Sequence, residues 1–250
     1  MLSILPKIFD VKNFVRDLRT LLRWNDEASK HNPAFSKWFE GILLNERGIM
    51  QYNFEASGVV MRIHSLCFFP FERFVDDDTV RGIMSLFEEH YGANGRNLFI
   101  PPLVLEAWRR NLESPRESCP EWEWEMERMR GGAVEKVFAI VLLTEHWGAF
   151  YIDMTKGTID FGDSLNKPLP QDALRAIRRW LEFTGQGLQV INSACGKFDV
   201  PRQPLTSGSC AINAANTIER VFRPEIHRWN HSTSAYHRLR FLKLLTATKR

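Results

Sequence analysis

The spacing of hydrophobic positions changes period along the chain. From Val11 to Leu22 the residues Val11, Phe14, Val15, Leu18, Leu21 and Leu22 recur at helical spacing with charges between them, which predicts an amphipathic helix. Asn32-Pro33 ends that segment, and Phe35, Trp38, Phe39 and Ile42 form a second helical stripe that runs out near Asn45 to Gly48. Residues 1–60 therefore read as a helical appendage and 61–250 as the main domain. Asp76-Asp77-Asp78 then precede Val80, Ile83, Met84, Phe87 and Tyr91. This predicts a helix with acids at its positive N-terminal end, closed by Gly92-Ala93-Asn94-Gly95. Residues 112–132, with Trp122 and Trp124, keep to no single period, so loop and short helix are equally open there.

Beyond that stretch the period shortens. Val137 to Leu143 reads as a buried strand by length and β-branching, Ala149 to Thr155 as a second, and Thr158 to Gly162 as a third across a Lys156-Gly157 turn. Together they predict an antiparallel meander. The stripe Leu174, Ile177, Trp180 and Leu181 predicts a helix, Leu188 to Asn192 another strand, and Ala211 to Phe222 a helix lined with Ala, Ile and Phe. The fold class is α+β, and no internal repeat is visible.

Composition narrows the function classes. With 44% hydrophobic and 25% charged residues over 250 positions, the chain can bury a sizeable core and is neither collagen-like nor wholly disordered. Thirty-three Lys and Arg against thirty Asp and Glu leave +3, too small an excess to make nucleic acid the default partner. The longest apolar run, Val137 to Leu143, is about a third of the roughly 20 residues that a membrane-spanning helix needs, so no membrane association is expected. Met1-Leu2-Ser3-Ile4-Leu5-Pro6-Lys7 does not read as a secretory leader, which predicts an intracellular setting, cytoplasmic or nuclear.

Four cysteines (Cys67, Cys119, Cys195, Cys210) without a CxxC pair suggest neither a disulfide framework nor zinc, and leave room for a reactive thiol. Cys67 reads as a core residue and Cys119 as a loop residue. Of His227, His231 and His237 only the first two stand four apart, and no cysteine or carboxylate completes a ligand set. They read as decorating a basic surface, since Arg223 to Arg250 carries seven Arg or Lys against one Glu. That tail reads as a solvated helix face around Tyr236, Leu239, Leu242 and Leu245. The aspartates at 76–78 are accounted for by helix-dipole pairing, so neither metal nor cofactor is expected.

One constellation carries chemistry. His146-Trp147 sits at the turn between the first two strands and Asp163 ends the third, so neighbouring strand ends bring imidazole and carboxylate together. A carboxylate so placed fixes the tautomer of the histidine and stabilises its charged form. Cys210 opens a helix of small residues after Leu205-Thr206-Ser207-Gly208-Ser209. A helix N-terminus and a neighbouring imidazolium lower a thiol pKa from about 8.5 into the range of roughly 3.5–7.5. Gln203, on Pro201-Arg202-Gln203-Pro204, can donate its amide toward an oxyanion beside the Cys210 N–H. Cys195 is the rival thiol, but the chain after it runs toward Asp199-Val200-Pro201 and offers no helix start.

His146-Trp147, Asp163-Ser164-Leu165, and Gln203 shortly before Gly208-Ser209-Cys210 resemble the ubiquitin-like-protein-specific cysteine proteases, the SUMO and NEDD8 deconjugating enzymes related to adenovirus proteinase. The resemblance covers about residues 65–245. Phe74-Val75-Asp76-Asp77-Asp78-Thr79-Val80 is similar to the family's Trp-Leu-x-Asp-x-x-Ile segment, which places Phe74 and Asp76 at the substrate channel. The resemblance implies a papain-like or adenain-like fold, with a mixed, largely antiparallel sheet flanked by helices. It also implies a catalytic set of His146, Asp163, Gln203 and Cys210. Trp147 and Phe74 then sandwich the Gly-Gly tail of SUMO, NEDD8 or ubiquitin, because two flat walls admit glycine and exclude side chains. The chain departs from the family in Phe74 for tryptophan, in Ser209-Cys210-Ala211 for Asp-Cys-Gly, and in a slightly longer gap from Gln203 to Cys210. A same-fold acetyltransferase and a catalytically weak binding module are the alternatives.

Overall fold

A computed structural model describes residues 72–110, 123–185 and 194–246, together with 15–16, 19–26, 37, 53–56, 59–62, 65 and 68–69. Helix α1 (Asp77–Phe87) starts where Asp76 caps it: Oδ1 accepts from the Thr79 N–H at 3.0 Å and Oδ2 from the Ser65 hydroxyl at 2.8 Å. Asp77 and Asp78 fill its first turn, and Val80, Ile83, Met84 and Phe87 form its buried face. A single π turn, Glu88–Gly92, ends it.

Strands β1 (Asn53–Ala56) and β2 (Val59–Arg62) form an antiparallel hairpin that spans residue 60, the expected boundary, and lies against α1. Leu21, one of the helical residues 19–26, is fully buried in the main core. Among the described residues the central sheet has five strands in the order β3 (Asn97–Ile100), β4 (Lys136–Leu143), β5 (His146–Asp153), β6 (Thr158–Asp163) and β7 (Cys195–Lys197). The expected meander β4-β5-β6 is its antiparallel centre, and β3 and β7 join its two edges in parallel.

Helices cover both faces of this sheet, which is why β4 reads as a continuous apolar run. Phe138, Ile140 and Ala149 pack with α1, α5 (Cys210–Phe222) and α6 (Ser234–Thr246). Val137, Ala139, Val141, Phe150 and Ile152 pack with α2 (Pro102–Arg110), α3 (Glu123–Arg130) and α4 (Gln171–Thr184). Phe99, Phe138 and Tyr151 are directly opposite one another on three strands and stack with 5.1 Å between successive ring centroids. Ala211, Ala214 and Ala215 let α5 lie close on β5, which carries the start of α5 to the end of the sheet where β5 begins.

Several expectations change. The stretch open to loop or helix resolves in part as α3, whose first turn holds Glu123 and Glu125 and whose last holds Arg128 and Arg130. His237 and Arg238, read as a solvated basic face, are buried, while Tyr236 is exposed. The core face of α6 is His237, Arg238, Phe241, Leu242 and Leu245, turned from the stripe that leucine spacing suggests. The second N-terminal stripe, the strand Leu188 to Asn192, Cys67 and Cys119 lie outside the described residues. Among the described residues no helix is long and apolar enough to cross a membrane, and no three His, Cys, Asp or Glu side chains gather into a metal-binding group.

Candidate active site

The turn Thr144-Glu145, with Glu145 in the left-handed region at φ 53°, joins β4 to β5 so tightly that Leu143 pairs with His146. Asp163 ends β6 opposite Gly148, two residues along from His146. The two side chains therefore share a face and meet diagonally. Nε2 of His146 lies 2.8 Å from Oδ2 of Asp163, both side chains being almost wholly buried. The ring N–H is turned off the line to Oδ2, so the contact is a close charge pair rather than an aligned hydrogen bond. The other carboxylate oxygen accepts from the backbone N–H groups of Leu165 at 2.7 Å and Lys167 at 3.1 Å. Against its own burial, the contact with His146 and these amides hold Asp163 below the ordinary carboxylate range. Burial pushes His146 down, but Asp163 and Cys210 together outweigh it and raise the imidazole to about 9.

Cys210 is the first residue of α5 and is 1% exposed. Its thiol is near enough to the His146 ring to help raise the imidazole. With Nε2 facing Asp163, Nδ1 is the nitrogen left for sulfur. Cys195, on edge strand β7, meets the opposite electrostatics: burial and the Asp160 carboxylate push its thiol up.

Gln203 is tied to the β6 end, its N–H donating to Ser164 O at 2.9 Å. Its Nε2 donates to Ser207 O at 2.9 Å, which spans the loop in front of Cys210 and fixes which end of the amide is nitrogen. One Nε2 hydrogen thus braces the loop and the second is left for another acceptor. The stretch 203–210 is brought back on itself rather than extended past the thiol.

Trp147 points from the other side of β5, is 1% exposed, and donates its indole N–H to Val75 O at 3.0 Å. Phe74 faces it, ring planes 17° apart and centroids 6.1 Å apart, and is 37% exposed. One wall is pinned and the other is free on its outer side. Asp76 stands two residues on, with both carboxylate oxygens occupied by the cap of α1 and Ser65. A cavity of about 440 Å³ adjoins Trp147, lined by Asp77, Leu103, Arg109, Leu142 and Glu145 among others. Leu103 and Leu142 stand exposed there.

Gly208 joins the cysteine loop to the segment that carries Phe74. Its N–H donates to Glu72 O at 2.8 Å, and a Cβ in its place would lie 2.3 Å from that oxygen and 2.4 Å from the backbone of Arg73 and Phe74. Only glycine lets the cysteine loop sit on the backbone that carries Phe74.

No protein-family model matches this sequence, and no curated protein does. Solved structures do. The SUMO protease Ulp1, with its catalytic cysteine oxidised to a sulfenic acid, superposes with a TM-score of 0.59 at 17% identity, over 77% of this chain and 87% of that one. The C-terminal Ulp1 protease domain in complex with Smt3, the yeast ortholog of SUMO, matches with a TM-score of 0.59 at 18% identity, over 78% and 86%. A de-sumoylating protease matches at 0.50 and 12% identity, over 74% and 86%. The chain has the fold of a SUMO protease domain. The likeness is in the path of the backbone, since fewer than one residue in five is shared.

Within this SUMO-protease fold lies a polar cluster that sequence reasoning missed. Ser209 Oγ, wholly buried, contacts Glu72 Oε2 at 2.7 Å, Ser234 Oγ at 2.7 Å and Arg238 Nε at 2.8 Å. Ser207 Oγ donates to the same Glu72 oxygen at 2.6 Å. Arg238 also donates to the carbonyls of Phe68 at 2.7 Å, Phe69 at 3.2 Å and Arg73 at 2.7 Å. A sequence signal exists: Arg238 stands in register with Phe241, Leu242 and Leu245, a charge on the core stripe of a helix.

Proposed function

We propose that the chain is a cysteine peptidase that cleaves after the C-terminal Gly-Gly of a ubiquitin-like modifier. Cys210 is the nucleophile, His146 the base and acid, and Asp163 the group that orients the imidazole. The observation that carries the reading is the His146–Asp163 pair, 2.8 Å apart at adjoining strand ends, with Cys210, the first residue of α5, close enough to the same ring to act on its charge. Sulfur attacks the carbonyl carbon of the terminal glycine, and the ring delivers its proton to the departing amine. Water, deprotonated by the ring, then releases the carboxylate and frees the thiolate. The oxyanion is met by the Cys210 N–H, a first-turn donor that a helix leaves without an internal acceptor, and by the second Nε2 hydrogen of Gln203.

The walls account for the tail. A peptide plane needs about 7 Å between two faces, twice the carbon contact distance of about 3.5 Å. Phe74 therefore swings outward while Trp147 stays on Val75. Exposed Leu103 and Leu142 beside Trp147 offer the modifier an apolar footing, and Asp76 serves the channel by fixing the start of α1 rather than by touching substrate. SUMO is the first candidate modifier, with NEDD8 and ubiquitin behind it, and cytoplasm or nucleus is the compartment that goes with them.

SUMO, NEDD8 and ubiquitin bearing C-terminal electrophiles test this directly. A covalent adduct with at least one of them, lost in Cys210→Ala and kept in Cys195→Ala, is the expected result. Binding without an adduct sinks the peptidase reading in favour of a binding module, and labelling by acetyl-coenzyme A alone in favour of acetyl transfer.

A further inference from the structure

The residue before the nucleophile differs here from the aspartate of the resembled family, and the position is not left polar and idle. Ser209 is enclosed by an acid from one segment, Glu72, and a base from another, Arg238. Glu72 adopts the left-handed backbone region at φ 56°, an uncommon conformation outside glycine, and its carbonyl takes the Gly208 N–H. Its carboxylate receives Ser207 and Ser209 hydroxyls and lies 3.6 Å from Arg238 Nε. Arg238 is 1% exposed and all three of its guanidinium nitrogens donate, to Ser209 and to carbonyls of residues 68, 69 and 73. A buried guanidinium is retained only where its donors are satisfied and its charge is balanced.

Resting on the peptidase reading, we infer that Arg238 and Glu72 are positioning residues for Cys210: together they hold Ser209 and Gly208, and their opposite charges set how readily the adjacent sulfur ionises. Arg238 keeps its charge at neutral pH, since burial lowers it only to about 10, with Glu72 and Cys210 both pulling it back up. Glu72, although burial raises it, is held below the ordinary carboxylate range by the serine hydroxyls and Arg238, and so is ionised. The ionisable groups around Cys210 are thus His146 from β5, with Asp163 behind it, and Arg238 from α6, with Glu72 reaching the site through the Ser207 and Ser209 hydroxyls. In this arrangement the acid that the family places immediately before the cysteine is supplied from a distant segment through two hydroxyls.

The two charges give the test its shape. Thiolate ultraviolet absorbance is measured against pH in the whole chain, with Cys210→Ala as the blank, and needs no substrate. Arg238→Met is expected to move the midpoint of the thiolate transition up by about one pH unit, and Arg238→Lys to keep it within about half a unit of the parent. Glu72→Gln is expected to move it down. A structural role alone shifts both variants the same way or neither, and either pattern overturns the inference. Should Arg238→Met not fold, Glu72→Gln decides by itself: a midpoint that stays or rises overturns it. Opposite shifts in a protein that forms no adduct with any modifier keep the inference and sink the peptidase reading; adducts without opposite shifts do the reverse.

Discussion

At neutral pH the imidazole of His146, raised to about 9, is protonated, and in the proposed reaction that is the proton for the leaving amine. Replacing Asp163 by Asn removes the main group that keeps it there. The alkaline limb of kcat/KM for a modifier–peptide fusion should then move to lower pH, and the rate near neutrality should fall about 10²- to 10⁴-fold. An unchanged pH profile would mean that the carboxylate has no part in setting the proton. In the proposed reaction Phe74 acts on binding rather than on chemistry. Phe74→Ala should raise KM about tenfold with kcat nearly kept, and Phe74→Trp should preserve both, in steady-state assays of the same fusion. The placement of His146, Asp163 and Cys210, the residues proposed for the site, was legible because each sits at an element boundary with a chemical reason to be there. Arg238 and Glu72 were not: a basic residue in a basic tail looks solvated until the helix phase shows it on the core face.

At the scale of elements, the segment carrying Phe74 and the loop carrying Cys210 behave as one piece. Gly208→Ala places a carbon against backbone that cannot rotate away, so it should cost about 2 kcal/mol or more, read from the denaturant midpoint, and reduce activity beyond that loss. Helix α3 holds a second predictable element. Burial pushes Glu125 up to about 7, with the Glu88 carboxylate adding to it. Its neutral form is the one the fold prefers, so stability falls as pH rises from about 4.5 to 7, by about 3 kcal/mol. Glu125→Gln should remove that slope and make the protein more stable at pH 8 while changing little at pH 4; a slope that persists would place its origin elsewhere. Long elements with a steady period, β4 and α4 among them, were readable in the sequence. Four-residue β3 and three-residue β7 are too short to show a period, so the parallel edges of the sheet were invisible. Helix α3 mixes tryptophan, methionine and charge on every face, and its type was undecidable without its neighbours.

For the whole molecule, the buried titratable groups set a stability window. Burial, Arg240 and His227 hold His237 down to about 4, so its contribution is lost as pH falls from about 6.5 toward 4. Over much of that range Glu125 compensates. His146 has the opposite sign, its stabilisation being complete below about 6.5 and lost as pH rises through 9. In acid, Asp153, at about 2, and Asp163 lose theirs below the ordinary carboxylate range. Thermal denaturation should therefore show a plateau between roughly pH 4.5 and 6.5 with a decline on both sides, and His237→Gln should turn that plateau into a rise as pH falls from 6.5 to 4.5, because Glu125 then acts without its counterweight. A melting temperature still climbing from pH 7 to 9 would contradict the charge state assigned to His146.

The seam at Gly208 has a consequence for anyone who wishes to redirect this molecule. Under the proposed function, the backbone that carries Phe74 and the loop that carries Cys210 share one seam, so trimming the ring leaves the sulfur in place while moving that backbone does not. Variants that would widen the doorway by shifting this backbone, rather than by trimming the ring, will carry the sulfur with them, and breadth of choice will then come with slower turnover.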